Sequence, residues 1–190
     1  PPPRRRIGRF HALWTSAVAV VLLFAIFAFA VLPGSAPPVS AQPVAYVSIE
    51  INPAVELGIN EQRTVILASG KDDEADGLLE GLQLIGLPLE QAVRQVMGAA
   101  EEKYLKNLSE ADIIITSIVV DESGKIEEEE LQAVVETEVQ QAIGQSGEKP
   151  DKEYRVTVWS APKEVLEEAR SEGLSAGKMA FYLKAQASGV

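Results

Sequence analysis

Cysteine is absent from the chain, which removes disulfide frameworks, thiolate metal sites and thiol nucleophiles together. Histidine is nearly absent as well. His11 stands alone, ahead of the one long apolar run, so the rest of the chain has no imidazole to offer as ligand or base. Gly173-Leu174-Ser175-Ala176-Gly177-Lys178 lacks both the glycine spacing and the hydroxyl residue after lysine that a phosphate loop needs, and reads as helix capping. Gly77, Gly81 and Gly86 do not have dinucleotide-loop spacing. Glu127 to Glu130 suits a helix start, where the dipole favours negative charge, and lacks calcium-loop spacing. With no constellation for a turnover enzyme, the chain is expected to be a non-enzyme that uses no cofactor and no metal.

Charge is divided along the chain. No acidic residue precedes Glu50, whereas Arg4, Arg5, Arg6 and Arg9 lead the sequence. Past residue 32 there are 13 basic residues (17 − 4) against 28 acidic ones, a formal net of −15. A surface of that sign repels nucleic acid and anionic lipid. Between the two regions, Ala12 to Leu32 runs 21 residues without a charge, with Thr15 and Ser16 the only polar members. As a helix it would span roughly 30 Å, the hydrocarbon thickness of a bilayer. The arginines before it are expected to stay cytoplasmic and the rest to lie outside. A cleaved signal peptide is the rival reading, with Val39-Ser40-Ala41 as its small-residue site. The length of the apolar run and the Pro/Ala/Ser spacer after it favour an anchor. The expected organisation is a basic juxtamembrane segment (1–11), a membrane helix (12–32), a linker (33–43) and an extracytoplasmic domain (44–190). The chain opens on Pro-Pro-Pro, so sequence upstream of Pro1 is expected.

Ala45 to Asn60 alternates strictly. Odd positions from Ala45 to Ile59 are apolar, and even positions are mostly polar or small. Period-2 alternation predicts one long strand with a single buried face, interrupted by Pro53, which would cost it a ladder hydrogen bond. Asn60 to Arg63 reads as a turn and Thr64 to Ser69 as a strand pairing back. A short helix capped by Asp72 or Asp73 follows, then a longer one from Pro88 to about Leu105. Asp112 to Val120, β-branched and nearly unbroken, is predicted to be the central strand. Lys125 to Ile143 and Pro162 to Gly173 read as helices, Glu153 to Ser160 as a strand, and Ser175 as the cap of a last helix. The order β-β-α-α-β-α-β-α-α predicts an α+β domain, one mixed sheet packed with helices.

Asn52-Pro53 carries the distinctive chemistry. Proline has no N–H, so attack by the following backbone nitrogen on the asparagine side chain is closed. Attack by the Asn52 side-chain nitrogen on its own backbone carbonyl remains open, and cleaves the chain. The reaction is intramolecular, so good orientation lowers its barrier by up to about 7–11 kcal/mol. Ser48, Glu50 and Asn60 are candidate polar supports. Glu50 and Glu56, six residues apart, would lie roughly 20 Å apart on one strand, and read as outward, solvated charges. An Asn-Pro dipeptide is also an ordinary turn signal, which leaves an uncleaved, membrane-anchored ligand-binding or scaffold domain as the alternative.

Glu50-Ile51-Asn52-Pro53-Ala54-Val55-Glu56-Leu57-Gly58-Ile59-Asn60 resembles the signature of RsgI-type anti-sigma factors, close to Asp-x-Asn-Pro-Ser-x-Glu-Leu-x-x-Asn. Weaker likeness extends through Thr64-Val65-Ile66, Gly81-Leu82 and Val158-Trp159-Ser160-Ala161-Pro162 to Gly173–Lys178. The resemblance implies a cytoplasmic sigma-factor-binding domain upstream, one membrane helix, and an outer domain related to SEA-like modules. It implies self-cleavage at Asn52–Pro53 with Asn52 as nucleophile, fragments held together by the sheet, and site-1-type and intramembrane proteases as partners. Glu50 and Ala54 stand where the pattern has Asp and Ser.

Overall fold

The computed structural model describes residues 42–121, 124–146 and 153–187. The predicted membrane helix, the arginines before it and nearly all of the spacer lie outside the described residues. Among the described residues, no helix is long and apolar enough to cross a membrane.

The first stretch differs from expectation. Ala45 to Asn60 is not one strand but a hairpin. Strands β1 (Ala45–Glu50) and β2 (Ala54–Ile59) pair antiparallel across the turn Ile51-Asn52-Pro53. Partners join odd to odd and even to even, Val47 with Leu57 and Ser48 with Glu56. A three-residue turn therefore returns each side chain to the face its parity dictates, and the alternation runs through the reversal unbroken. Pro53 sits in the turn, where it costs no ladder hydrogen bond.

β2 pairs antiparallel with β3 (Val65–Gly70), as the sequence predicts for its second strand. Asp72 caps α1 (Asp73–Leu79), its carboxylate accepting from the Ala75 N–H at 2.8 Å. Pro88 precedes α2 (Leu89–Lys103). Then come β4 (Glu110–Val119), α3 (Glu128–Ser146), β5 (Glu153–Ser160), α4 (Lys163–Glu172) and α5 (Ala176–Ala187). Gly173 ends α4 at φ +68°, a left-handed backbone that glycine takes without cost. Ser175 caps α5 by accepting from the Lys178 N–H at 3.1 Å.

Among the described residues the sheet has five strands, one more than predicted, in the order β3-β2-β1-β4-β5. The α+β class holds, but β1 takes the central place expected for β4. β4 lies between β1, antiparallel, and β5, parallel. Helices cover both faces. On one, Val47, Ile49, Leu57 and Ile115 pack with Val96 and Met97 of α2 and Val135 and Val139 of α3. On the other, Tyr46 and Ile118 pack with Val165, Leu166 and Ala169 of α4 and Met179 of α5. The single buried face predicted for the first strand is thus two, because α4 and α5 close over the even-numbered side. Every residue of β1 and β2 is buried.

Candidate functional site: the Asn52–Pro53 turn

The turn is short because its own backbone closes it. The Ile51 N–H donates to the Pro53 carbonyl at 2.8 Å, and Glu50 faces Ala54 as the last pair of the ladder. Asn52 lies at the apex, exposed, with φ +53°. Asparagine tolerates this left-handed region better than most residues, yet it is still costlier than an extended backbone. Ile51 and Pro53 on either side are buried, so the apex residue is held between two fixed neighbours.

Two sets of contacts brace the flanks. On the β2 side, the Ala54 N–H donates to Asp72 Oδ2 at 3.3 Å, and the Lys71 N–H donates to the Ala54 carbonyl at 3.0 Å. Lys178 Nζ of α5 reaches the same Asp72 oxygen at 3.4 Å. On the β1 side, the Ser48 hydroxyl donates to Glu50 Oε1 at 2.7 Å, and the Gly177 N–H reaches Ser48 Oγ at 3.4 Å. Glu50 is 8% exposed, and its Oε2 has no hydrogen-bond partner. Burial pushes the Glu50 carboxyl above the ordinary glutamate range; hydrogen bonds from Ser175 and Ser48 and the Lys178 charge oppose the shift, and the Asp72 charge adds to it.

The two glutamates are not the solvated outward charges expected. Both are buried, because their face of the sheet is covered. Glu56 is 2% exposed and pairs with Lys71 Nζ at 3.0 Å. The hairpin also removes the separation of a straight strand. Ser48 is the direct partner of Glu56, which makes Glu50 and Glu56 diagonal neighbours, roughly 7–8 Å apart. Asn60 lies elsewhere. It is at the far end of β2, six steps or roughly 20 Å from the turn. There its Oδ1 accepts from the Gln62 and Thr64 N–H groups at 3.0 and 2.9 Å. Asn60 supports the β2–β3 turn, not the Asn-Pro bond.

Of the residues singled out in the sequence, Asn52, Pro53, Glu50 and Ser48 come together, with Glu56 next to them. The sequence did not point to Asp72, Ser175, Gly177 and Lys178 as parts of this site. Asp72 and Ser175 are legible as helix caps, but nothing in their spacing says that both caps meet at the hairpin tip. A cleft of about 320 Å³ opens beside the turn, lined among others by Glu50, Asn52, Asp112, Lys178 and Phe181.

A family model described as the anti-sigma factor RsgI-like central domain matches residues 44–184. The chain belongs to this RsgI-like family. Among its curated relatives are three proteins of Acetivibrio thermocellus. Anti-sigma-I factor RsgI6 is 28% identical over 155 residues, covering 77% of this chain and 20% of that protein. Anti-sigma-I factor RsgI9 is 29% identical over 177 residues, covering 92% and 24%, and anti-sigma-I factor RsgI5 is 26% identical over 153 residues, covering 77% and 31%. The chain therefore spans between a fifth and a third of the length of these relatives. The RsgI-like match runs from the residue before β1 into α5. It takes in the hairpin and every element that braces it.

Proposed function

We propose that this chain is the membrane-spanning and extracytoplasmic portion of an anti-sigma factor, and that it passes an outside signal inward by cutting itself at Asn52–Pro53. Residues 12–32 form the anchor, and the partner is a sigma factor held by a cytoplasmic domain. RsgI-like family membership supports the anti-sigma role. The observation that carries the cleavage is the tight turn itself, with an exposed asparagine at φ +53° followed by proline and flanked on both sides by buried, paired strand.

The chemistry follows from those residues. Asn52 Nδ2 attacks the Asn52 carbonyl carbon and a five-membered ring closes. The bond to Pro53 N breaks, and a proton passes from Nδ2 to that nitrogen, leaving a succinimide on one piece and a free proline amine on the other. No water, metal or cofactor enters. The backbone strain at Asn52 and its fixed neighbours reduce the cost of reaching the bent geometry. β1 then remains in the sheet by non-covalent contacts, until tension or a ligand draws it out and site-1-type and intramembrane proteases remove the stub.

Denaturing electrophoresis of the chain, purified in detergent, tests this reading. Two fragments are expected, the larger with Pro53 as its amino terminus, and neither should form from an Asn52→Ala chain. A single uncut band would refute self-cleavage and favour a membrane-anchored scaffold or binding domain.

A further inference from the structure

The first turn of α5 touches both flanks of the Asn-Pro turn. On the β1 side, Gly177 packs so closely on Glu50 that a Cβ there would sit 2.4 Å from Oε1 and 2.7 Å from Cγ. The Gly177 N–H also reaches the Ser48 hydroxyl, which donates to the same carboxyl. On the β2 side, Lys178 holds Asp72, which in turn accepts the Ala54 N–H at the residue after Pro53. One helical turn thus holds the residue two before Asn52 and the residue two after it. A stray surface helix would not need a glycine at its point of contact, nor bury a carboxylate oxygen without a partner beneath it.

We propose that Glu50 and Gly177 are positioning residues, through which the seating of α5 sets the geometry of the Asn52–Pro53 turn. The proposal deepens the self-cleavage reading and rests on it for its effect on rate. With α5 docked, Glu50 and Asp72 fix the two flanks and hold Asn52 in its left-handed backbone. With α5 lifted, both ties are lost together and the turn relaxes. α5 is the last described element, and Phe181 and Tyr182 stand 54% and 57% exposed on it. Whatever pulls on or covers this helix therefore acts on the turn directly.

The test uses Gly177→Ala, whose methyl must displace the Glu50 carboxyl, and Gly177→Ala with Glu50→Asp, where the shorter acid makes room. Hydrogen exchange is read first, in a full chain kept in one piece by Asn52→Gly. Gly177→Ala is expected to speed exchange of the Ile51 and Ala54 amides by about tenfold or more, and the double variant to restore protection. The Arg63 amide, bonded to the Asn60 carbonyl in the turn between β2 and β3, should not change. In the Asn52 chain, Gly177→Ala is expected to slow the appearance of the Pro53 fragment by about tenfold, with partial rescue by Glu50→Asp. If Gly177→Ala fails to fold, Lys178→Met cuts the other tie at the surface and should loosen Ala54 in the same way. Unchanged exchange at Ile51 and Ala54, or equal loosening at Arg63, overturns the proposal. A parent chain that never cleaves refutes self-cleavage while leaving the exchange result to decide the coupling.

Discussion

If the cut chain is held together by β1 alone, then weakening β1 should release the amino-terminal piece without unfolding the rest. Ile49 is the place to test this. It is fully buried near the carboxyl end of the central strand, paired with Val55 on one side and Ile115 on the other. Tyr46, Val47, Ile49 and Ile51 together bury about 6–12 kcal/mol of transfer free energy, at about 1.5–3 kcal/mol each, so the strand is expected to stay seated for long periods. Ile49→Ala removes the lost transfer energy and leaves a cavity, about 2–5 kcal/mol in all. If 3 kcal/mol of that is absent from the transition state for strand departure, release speeds up roughly 150-fold, and if only half is absent, about tenfold. The assay is retention of the amino-terminal fragment by cleaved protein immobilised through its carboxyl end, followed over time after dilution. Leu78→Ala is the control: Leu78 is equally buried, but on α1, which packs on β2, β3 and α2. It should lower the melting temperature of the intact chain by a similar amount and leave fragment release nearly unchanged. If both variants release the fragment equally fast, the pieces part by global unfolding, and strand extraction is refuted.

Asn52→Gly should abolish cleavage yet raise stability slightly, by up to about 1 kcal/mol, because glycine takes φ +53° without the side-chain penalty; a thermal melt beside the uncleaved Asn52→Ala chain checks this, with Ala expected to be the less stable. Glu50→Gln should flatten part of the pH dependence of stability. The folded Glu50 carboxyl is raised, so its contribution favours the fold below the ordinary glutamate value, about 4.3, and is lost as pH rises through the folded value. Melting curves of the two chains should therefore diverge toward neutral pH in favour of the glutamine variant, with the facing charges Lys178, Asp72 and Asp112 unchanged; parallel curves would refute it. Gly58→Val should destabilise by about 1–3 kcal/mol, because a Cβ there would meet Pro43 Cγ at 2.7 Å and Leu67 Cβ at 3.1 Å; denaturant midpoints measure it.

The helices were the easier part to read. Their apolar stripes, the Asp72 and Ser175 caps and the Gly173 stop are local signals; the helix expected at Lys125 to Ile143 lies at Glu128–Ser146, and the others fall closer to expectation. β5 and the turn at Asn60 were equally plain. The first strand was misread because parity carries no information about direction. A straight strand and a hairpin with a three-residue turn put the same side chains on the same face, and only Pro53 hinted at the reversal. The burial of Glu50 and Glu56 was hidden for a different reason. Polar residues at even positions look like a wet face, and nothing local says that α4 and α5, more than a hundred residues away, will cover it. The Asn-Pro bond could be singled out from its chemistry, but its braces at Asp72, Gly177 and Lys178 are tertiary facts.

The hairpin changes what a cut would do. Severing one continuous strand at its middle would leave two half-strands, each holding only part of its ladder. Severing the turn leaves β1 whole. All six of its pairs with β2 and all six with β4 remain available, and the backbone bonds of Ile51 to Pro53 and of Val44 to Ile59 bridge the cut as well. A cut at this position would therefore remove a covalent link while leaving the fold's central strand in place, and would separate a chemical step from a later mechanical one. An edge strand would peel away one bond at a time. A central strand paired on both sides and buried on both faces must give up its contacts nearly together, so its release is abrupt, as a switch requires.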